Sequence, residues 1–171
     1  MDNVTFSNLY ILKNSVGQAI SLSSCTEVTM ENINMVDSVS GHGMVRASQS
    51  KISAKNLVIR NITCAVDTAP ETGGFLLVSN AHLNITNMDF TQVNGPTASV
   101  AVMKDNATML CYTCHIYSNN DTLFHMVDVQ EGEGLRLYDS IIEYNLLEWS
   151  SVLCVMGKFH AHNCTFRNNL A

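Results

Sequence analysis

The chain has 171 residues, 46% of them hydrophobic and 14% charged, which is enough apolar material for one folded unit and far from the composition of a disordered chain. Its formal charge of -6 is spread along the sequence without a basic cluster, so neither nucleic acid nor an anionic membrane surface is an expected partner. No apolar run approaches the ~18 residues that a membrane helix needs, and the opening MDNVTFSNLY lacks the basic and apolar regions of a signal peptide.

The first predicted strand lies in the phrase NVTFSN from Asn3, where polar and apolar residues alternate. The same phrase recurs as NINMVD from Asn32, NLVIRN from Asn56, NMDFTQ from Asn87, TCHIYS from Thr113, DSIIEY from Asp139 and NCTFRN from Asn163. The steps are 29, 24, 31, 26, 26 and 24 residues and cover residues 1–171, a solenoid period over a single repeat domain. Three residues after each anchor stand Phe6, Met35, Ile59, Phe90, Ile116, Ile142 and Phe166, apolar throughout and predicted to stack as one internal spine. The intervening column is mostly polar: Thr5, Asn34, Asp89, His115 and Thr165, with Val58 and Ile141 as exceptions.

Upstream of the anchors the alternation continues. Val28, Ile52, Leu83, Met109, Leu135 and Phe159 form one inward column, and Met30, Ala54, Ile85, Cys111, Leu137 and Ala161 a second. Each coil therefore carries one in-out-in strand, a kink at the anchor and a second such strand. A third apolar stretch follows at residues 19–22, 44–47, 75–78, 100–103, 124–129 and 152–156. Three short strands per coil of 24–31 residues predict an all-β parallel β-helix of about six to seven coils. A helical repeat would show spacings of three and four instead. Two Pro against 18 Asn and 29 Ser plus Thr fit its bends, which need residues that tolerate left-handed backbone. The longest loops are expected at residues 67–74 and 130–134.

With the repeat laid out, CTFRNNLA at the C-terminus resembles the FxxN half, and GQAI at 17–20 and GGFL at 73–76 resemble the GGAI half, of the polymorphic outer membrane protein repeats. FxxN is complete at 166–169, IYSN at 116–119 is a variant, and several coils lack the Gly pair. The resemblance covers essentially the whole chain. It implies a right-handed, single-stranded parallel β-helix and, in function, a surface adhesin or large surface protein. Because the first and last residues fall inside coils with no amphipathic cap, the chain reads as an excerpt of a longer solenoid, with further coils of the parent at both ends.

Several phrases look like chemistry. CYTCH at 111–115 has the spacing of covalent haem attachment, but Cys111 and Cys114 fall in inward columns and His115 in an outward one, so the sulfurs are expected to act as small apolar groups. Within SGHGMV at 40–45, His42 resembles the catalytic histidine of the polygalacturonases. A glycosidase also needs two carboxylates across the bond, and the flanking coils offer Ser21, Ser23, Ser53 and Lys55. Glu131 and Glu133, in the densest acidic stretch, are the candidates for a weak calcium site.

Six N-x-S/T sequons stand at Asn3, Asn61, Asn84, Asn106, Asn120 and Asn163. Of these Asn61, Asn84, Asn106 and Asn120 are the glycosylation candidates, whereas Asn3 and Asn163 are assigned to kink ladders. The expected function is a non-enzymatic structural or adhesive module of a large extracellular or cell-surface protein, made in the secretory pathway, meeting protein or glycan partners and needing no cofactor. The alternative is a fragment of a carbohydrate-active, pectin-lyase-like β-helix enzyme.

Overall fold

A computed structural model describes residues 3–12, 18–40, 43–64, 75–94, 98–120, 122–127, 134–147, 153–155 and 157–170. The elements among them are strands, and every pairing is parallel. Consecutive coils of one chain lie side by side, so the architecture is a parallel β-solenoid, as the period requires.

A ten-stranded sheet forms two of the three faces. Long strands Glu27–Ser40, Lys51–Cys64, His82–Asn94 and Thr108–Tyr117 bend through its corner, while flanking coils divide it between Asn3–Ser7 and Tyr10–Leu12, Gly134–Tyr138 and Ile141–Glu143, and Lys158–His162 and Thr165–Arg167. The third face is a six-stranded sheet of Ile20–Ser23, Val45–Ser48, Leu76–Ser79, Ala101–Lys104, Phe124–Val127 and Leu153–Val155, which occupies the third apolar stretch of each coil.

Among the described residues seventeen that are not glycine have positive φ, between 48° and 60°, and all of them lie at three corners. Asn8, Asn32, Asn56, Asn87, Thr113, Asp139 and Asn163 form the first corner. The second holds Asp37, Asn61, Gln92, Ser118, Tyr144 and Asn168, and the third Ser24, Gln49, Asn80 and Asp105. One positive-φ residue turns the strand without breaking the ladder, and short polar side chains carry the cost because they bond locally. Their amides also link the coils. Asn32 donates to Asn8 at 3.0 Å, Asn56 to Asn32 at 2.9 Å, Asn87 to Asn56 at 2.8 Å and Asn163 to Asp139 at 2.6 Å. Gly134 answers a different need: a Cβ there would meet the Lys158 carbonyl oxygen at 2.0 Å.

The spine register holds from Met35 onward, through Ile59, Phe90, Ile116, Ile142 and Phe166. The first coil corrects the sequence reading. Phe6 stands opposite Met30 and Ile11 opposite Met35, so Phe6 belongs to the upstream column and the first corner falls at Asn8, not Asn3. Both arms of a coil share the same two-residue alternation, so the pattern alone cannot distinguish them. The bend decides. With Asn8 as anchor the first step is 24 residues, in line with the shorter later ones.

Inward columns from the three faces close one core in which Met35, Ile59, Phe90 and Ile116 are fully buried. Phe75, from the third face, meets Phe90 edge-on at 5.8 Å and ties the two sheets together. In the last coil Phe159 and Phe166 remain 37% and 42% exposed.

Truncating Phe90→Ala is expected to cost about 3–5 kcal/mol in denaturant unfolding, because the cavity opens where both sheets meet. Asn84→Ala, on the outer side of the same coil, is expected to stay within about 0.5 kcal/mol.

Candidate functional site

Outward side chains of the second face, between the first and second corners, form a ladder of opposite charges. Arg60 makes a short ion pair with Asp89 of the next coil. His115 pairs in register with Asp89, and its Nε2 lies 2.9 Å from Oε1 of Glu143. Glu143 Oε2 accepts from Arg167 Nε at 2.6 Å. The Tyr117 ring stacks on the His115 imidazole at 4.4 Å. Arg60 meets Asp89, and His115 meets Glu143, along diagonals of the sheet, whereas Glu143 and Arg167 stand directly opposite each other in register.

Glu143 is only 8% exposed although it points away from the core, because His115 and Arg167 cover it. Arg167 first, and His115 second, hold its carboxyl below the ordinary glutamate range, and Glu143 in turn raises the Arg167 guanidinium. Asp89 likewise raises Arg60. The Asp89 Oδ1 atom is buried without a hydrogen-bond partner among the described residues. The arrangement thus brings two carboxylates, two guanidiniums and one imidazole onto one face. It gives them to each other rather than to an open cleft, and Glu143 is biased toward the ionised form, the opposite of what a general acid requires.

The first face carries a second ladder, with Tyr112 stacked on Tyr138 at 4.8 Å and 10°, and His160 and His162 beyond at 5.9 and 6.4 Å from Tyr138. Among the described residues no three His, Cys, Asp or Glu side chains converge as a metal site would require.

Cys111 and Cys114 are buried while His115 faces outward, so the CYTCH sulfurs and imidazole lie on opposite sides of the sheet. A hydrogen bond with Cys114 and burial both push the Cys111 thiol well above its ordinary value, which keeps it protonated. His42, Glu131 and Glu133 lie outside the described residues, as do residues 67–74 and 130–133 of the longest expected loops. Asn61, Asn84, Asn106 and Asn120 are all exposed, and Asn61 donates to Asp37 at 2.7 Å. Asn163 is a corner residue, whereas Asn3 opens a strand.

One internal feature escapes a reading by polarity. Asn119 and Asn145 point into the core, each 1% exposed, one coil above the other, with Asn169 next in line. The Asn145 amide donates to the carbonyls of Ile116 at 3.2 Å and Glu143 at 3.1 Å and to Asn169 Oδ1 at 2.9 Å, and its own oxygen accepts from the Asn119 backbone N–H at 3.0 Å. Asn119 Oδ1 takes the Val93 N–H at 2.9 Å. The ladder thus satisfies main-chain groups where each coil leaves the second corner. Upstream coils place Val93, Ile62 and Ser38 in the same column. The signal for it was the Asn of IYSN and of FxxN, which marks this position at 119 and 169.

None of the known protein-family models matches this chain, and no curated protein is significantly similar to it.

Asn145→Ala is expected to lower stability by about 3 kcal/mol in urea unfolding, because it strands buried main-chain groups on two neighbouring coils. The Glu143 contribution should depend on pH. Its folded-state value is depressed, so its stabilisation is present above about pH 4.3 and is lost as pH falls through the depressed value. The difference in melting temperature between wild type and Glu143→Gln is therefore expected to be largest at neutral pH and to shrink as the solution is acidified below the ordinary glutamate range.

Proposed function

We propose that this chain is a non-enzymatic structural or adhesive module of a larger extracellular or cell-surface protein, a β-helix of the polymorphic outer membrane protein repeat type. The observation that carries this reading is the second face, where the charged side chains pair with one another in a ladder running from coil to coil. Stacked coils rising about 4.8 Å each make a rod whose outer columns display one side chain per coil, a geometry suited to spacing and to multivalent contact. The Asn119–Asn145–Asn169 ladder supports the repeat type, because it gives the FxxN asparagine a structural task. Exposed sequons at Asn84 and Asn106 support passage through the secretory pathway.

A second reading is favoured by one observation, the gathering of Asp89, His115 and Glu143 on one face. It makes the chain part of a carbohydrate-active enzyme with a pectin-lyase-like fold. Against it, Glu143 is held in ion pairs with His115 and Arg167 rather than presented to a cleft.

Two measurements separate them. The chain displayed on beads is expected to bind cell surfaces, and incubation with pectin, polygalacturonate and xylan is expected to release neither reducing ends nor unsaturated uronides. Release of either product, abolished by Glu143→Gln or His115→Ala, would establish the enzyme instead.

A further inference from the structure

Along the second corner, outside both charged and aromatic ladders, the chain forms a groove of about 460 Å³ lined by Asn61, Gln92, Asn94, Ser118 and Asn120. We infer that this groove binds an uncharged oligosaccharide, the ligand through which the adhesive module proposed above engages a glycan-bearing surface; the inference rests on that reading.

The lining is chemically uniform. Among the described residues every lining side chain is a neutral amide or hydroxyl, so the groove offers both donors and acceptors. A phosphate or a uronate finds no cationic side chain among these lining groups, and the neighbouring Asp37 carboxylate already accepts from Asn61, whereas a sugar presents hydroxyls that donate and accept in turn. The groups are also available. The amides of Gln92, Asn94 and Asn120 have no partner among the described residues, and Asn61 spends one N–H on Asp37 and keeps its carbonyl oxygen.

The groove is preorganised by what lies beneath it. Gln92 and Asn94 flank Val93, and Ser118 and Asn120 flank Asn119, the two inward residues joined by the Val93 N–H to Asn119 Oδ1 bond at 2.9 Å. The Gln92 N–H also bonds the Ser118 carbonyl at 3.2 Å. Little backbone ordering is left for a ligand to impose.

One coil further, the same columns change character. Tyr144 follows Ser118 at the corner and Leu146 pairs with Asn120; they are 57% and 42% exposed. An exposed ring at the end of an amide-lined groove gives the apolar face of a sugar ring somewhere to rest. Lining groups recur at a coil rise of about 4.8 Å, on the scale of one sugar ring, so the ligand runs along the solenoid axis.

Asn61 and Asn120 are both sequon asparagines, so the sugar filling the groove could come from the chain itself or from a partner. The experiment separates these sources. Protein made in bacteria, which carries no N-glycan, is applied to an array of neutral and acidic oligosaccharides, and the strongest neutral binder is titrated by calorimetry. At least one neutral oligosaccharide is expected to bind. Gln92→Ala and Asn94→Ala are each expected to weaken it about tenfold, Tyr144→Ala to weaken it less, and Asn84→Ala, on another face, to leave it unchanged, all with unaltered melting temperature. Protein bearing a glycan at Asn120, verified by mass, is expected to lose binding because its own sugar fills the groove. The inference is overturned if only acidic oligosaccharides bind, if none binds at millimolar concentration, if the groove variants bind like wild type, or if the Asn120-glycosylated form binds equally well. Retained cell-surface binding by protein that fails on the array would remove the groove while leaving the adhesive reading standing. Polysaccharide cleavage would remove that reading itself.

Discussion

A coil joins a parallel solenoid only where its bends fall over those of the coil below, because each strand's N–H and C=O groups must find partners one rise away. In this chain the bends are made by single residues at positive φ, aligned in three corners. Everything else follows from that alignment. Where corners superpose, inward residues meet inward residues and the core closes; where they slip by one residue, every side chain moves to the wrong face. Corner amides help hold the alignment, since Asn32, Asn56 and Asn87 each donate to the corner residue one coil before.

The same constraint organises the outside. Long-range neighbours on an outer face are fixed by register, so isolated charges in sequence become ladders in space, as with Arg60 and Asp89 or with His115, Glu143 and Arg167. Neutralisation within the ladder explains how an outward glutamate comes to be nearly buried. It also leaves chemical availability to other surfaces, notably the second corner, where the lining amides of Gln92, Asn94 and Asn120 remain unpaired among the described residues.

Much of this was legible from residue order. The column from Met35 to Phe166 is apolar at every coil, so period-two alternation located it, and anchors at Asn32, Asn56, Asn87, Thr113, Asp139 and Asn163 mark true corners. The first coil was misregistered because NVTFSN matches either arm, and only the backbone at Asn8 shows which arm it is. The second corner was hidden by its variety: Asp37, Gln92, Ser118 and Tyr144 share a backbone angle but no chemistry. Inward Asn119 and Asn145 read as interruptions of an apolar column, since their partners are main-chain groups of other coils. The ion pairs join residues of neighbouring coils 24 to 29 positions apart, two of them diagonally and Glu143–Arg167 in direct register, and no local pattern specifies them.

In-register stacking is tested most directly by paired cysteines on the outer side of the first face. Thr29 stands opposite Ser53, and Ser53 opposite Asn84. Parallel neighbours at this spacing fall within disulfide reach. Under mild oxidation, Thr29→Cys with Ser53→Cys, and Ser53→Cys with Asn84→Cys, should each form an intramolecular bridge visible by peptide mapping, while Ser53→Cys with Asp89→Cys should not. Bridging of the last pair with failure of the first two would show that the coils are not stacked phase on phase.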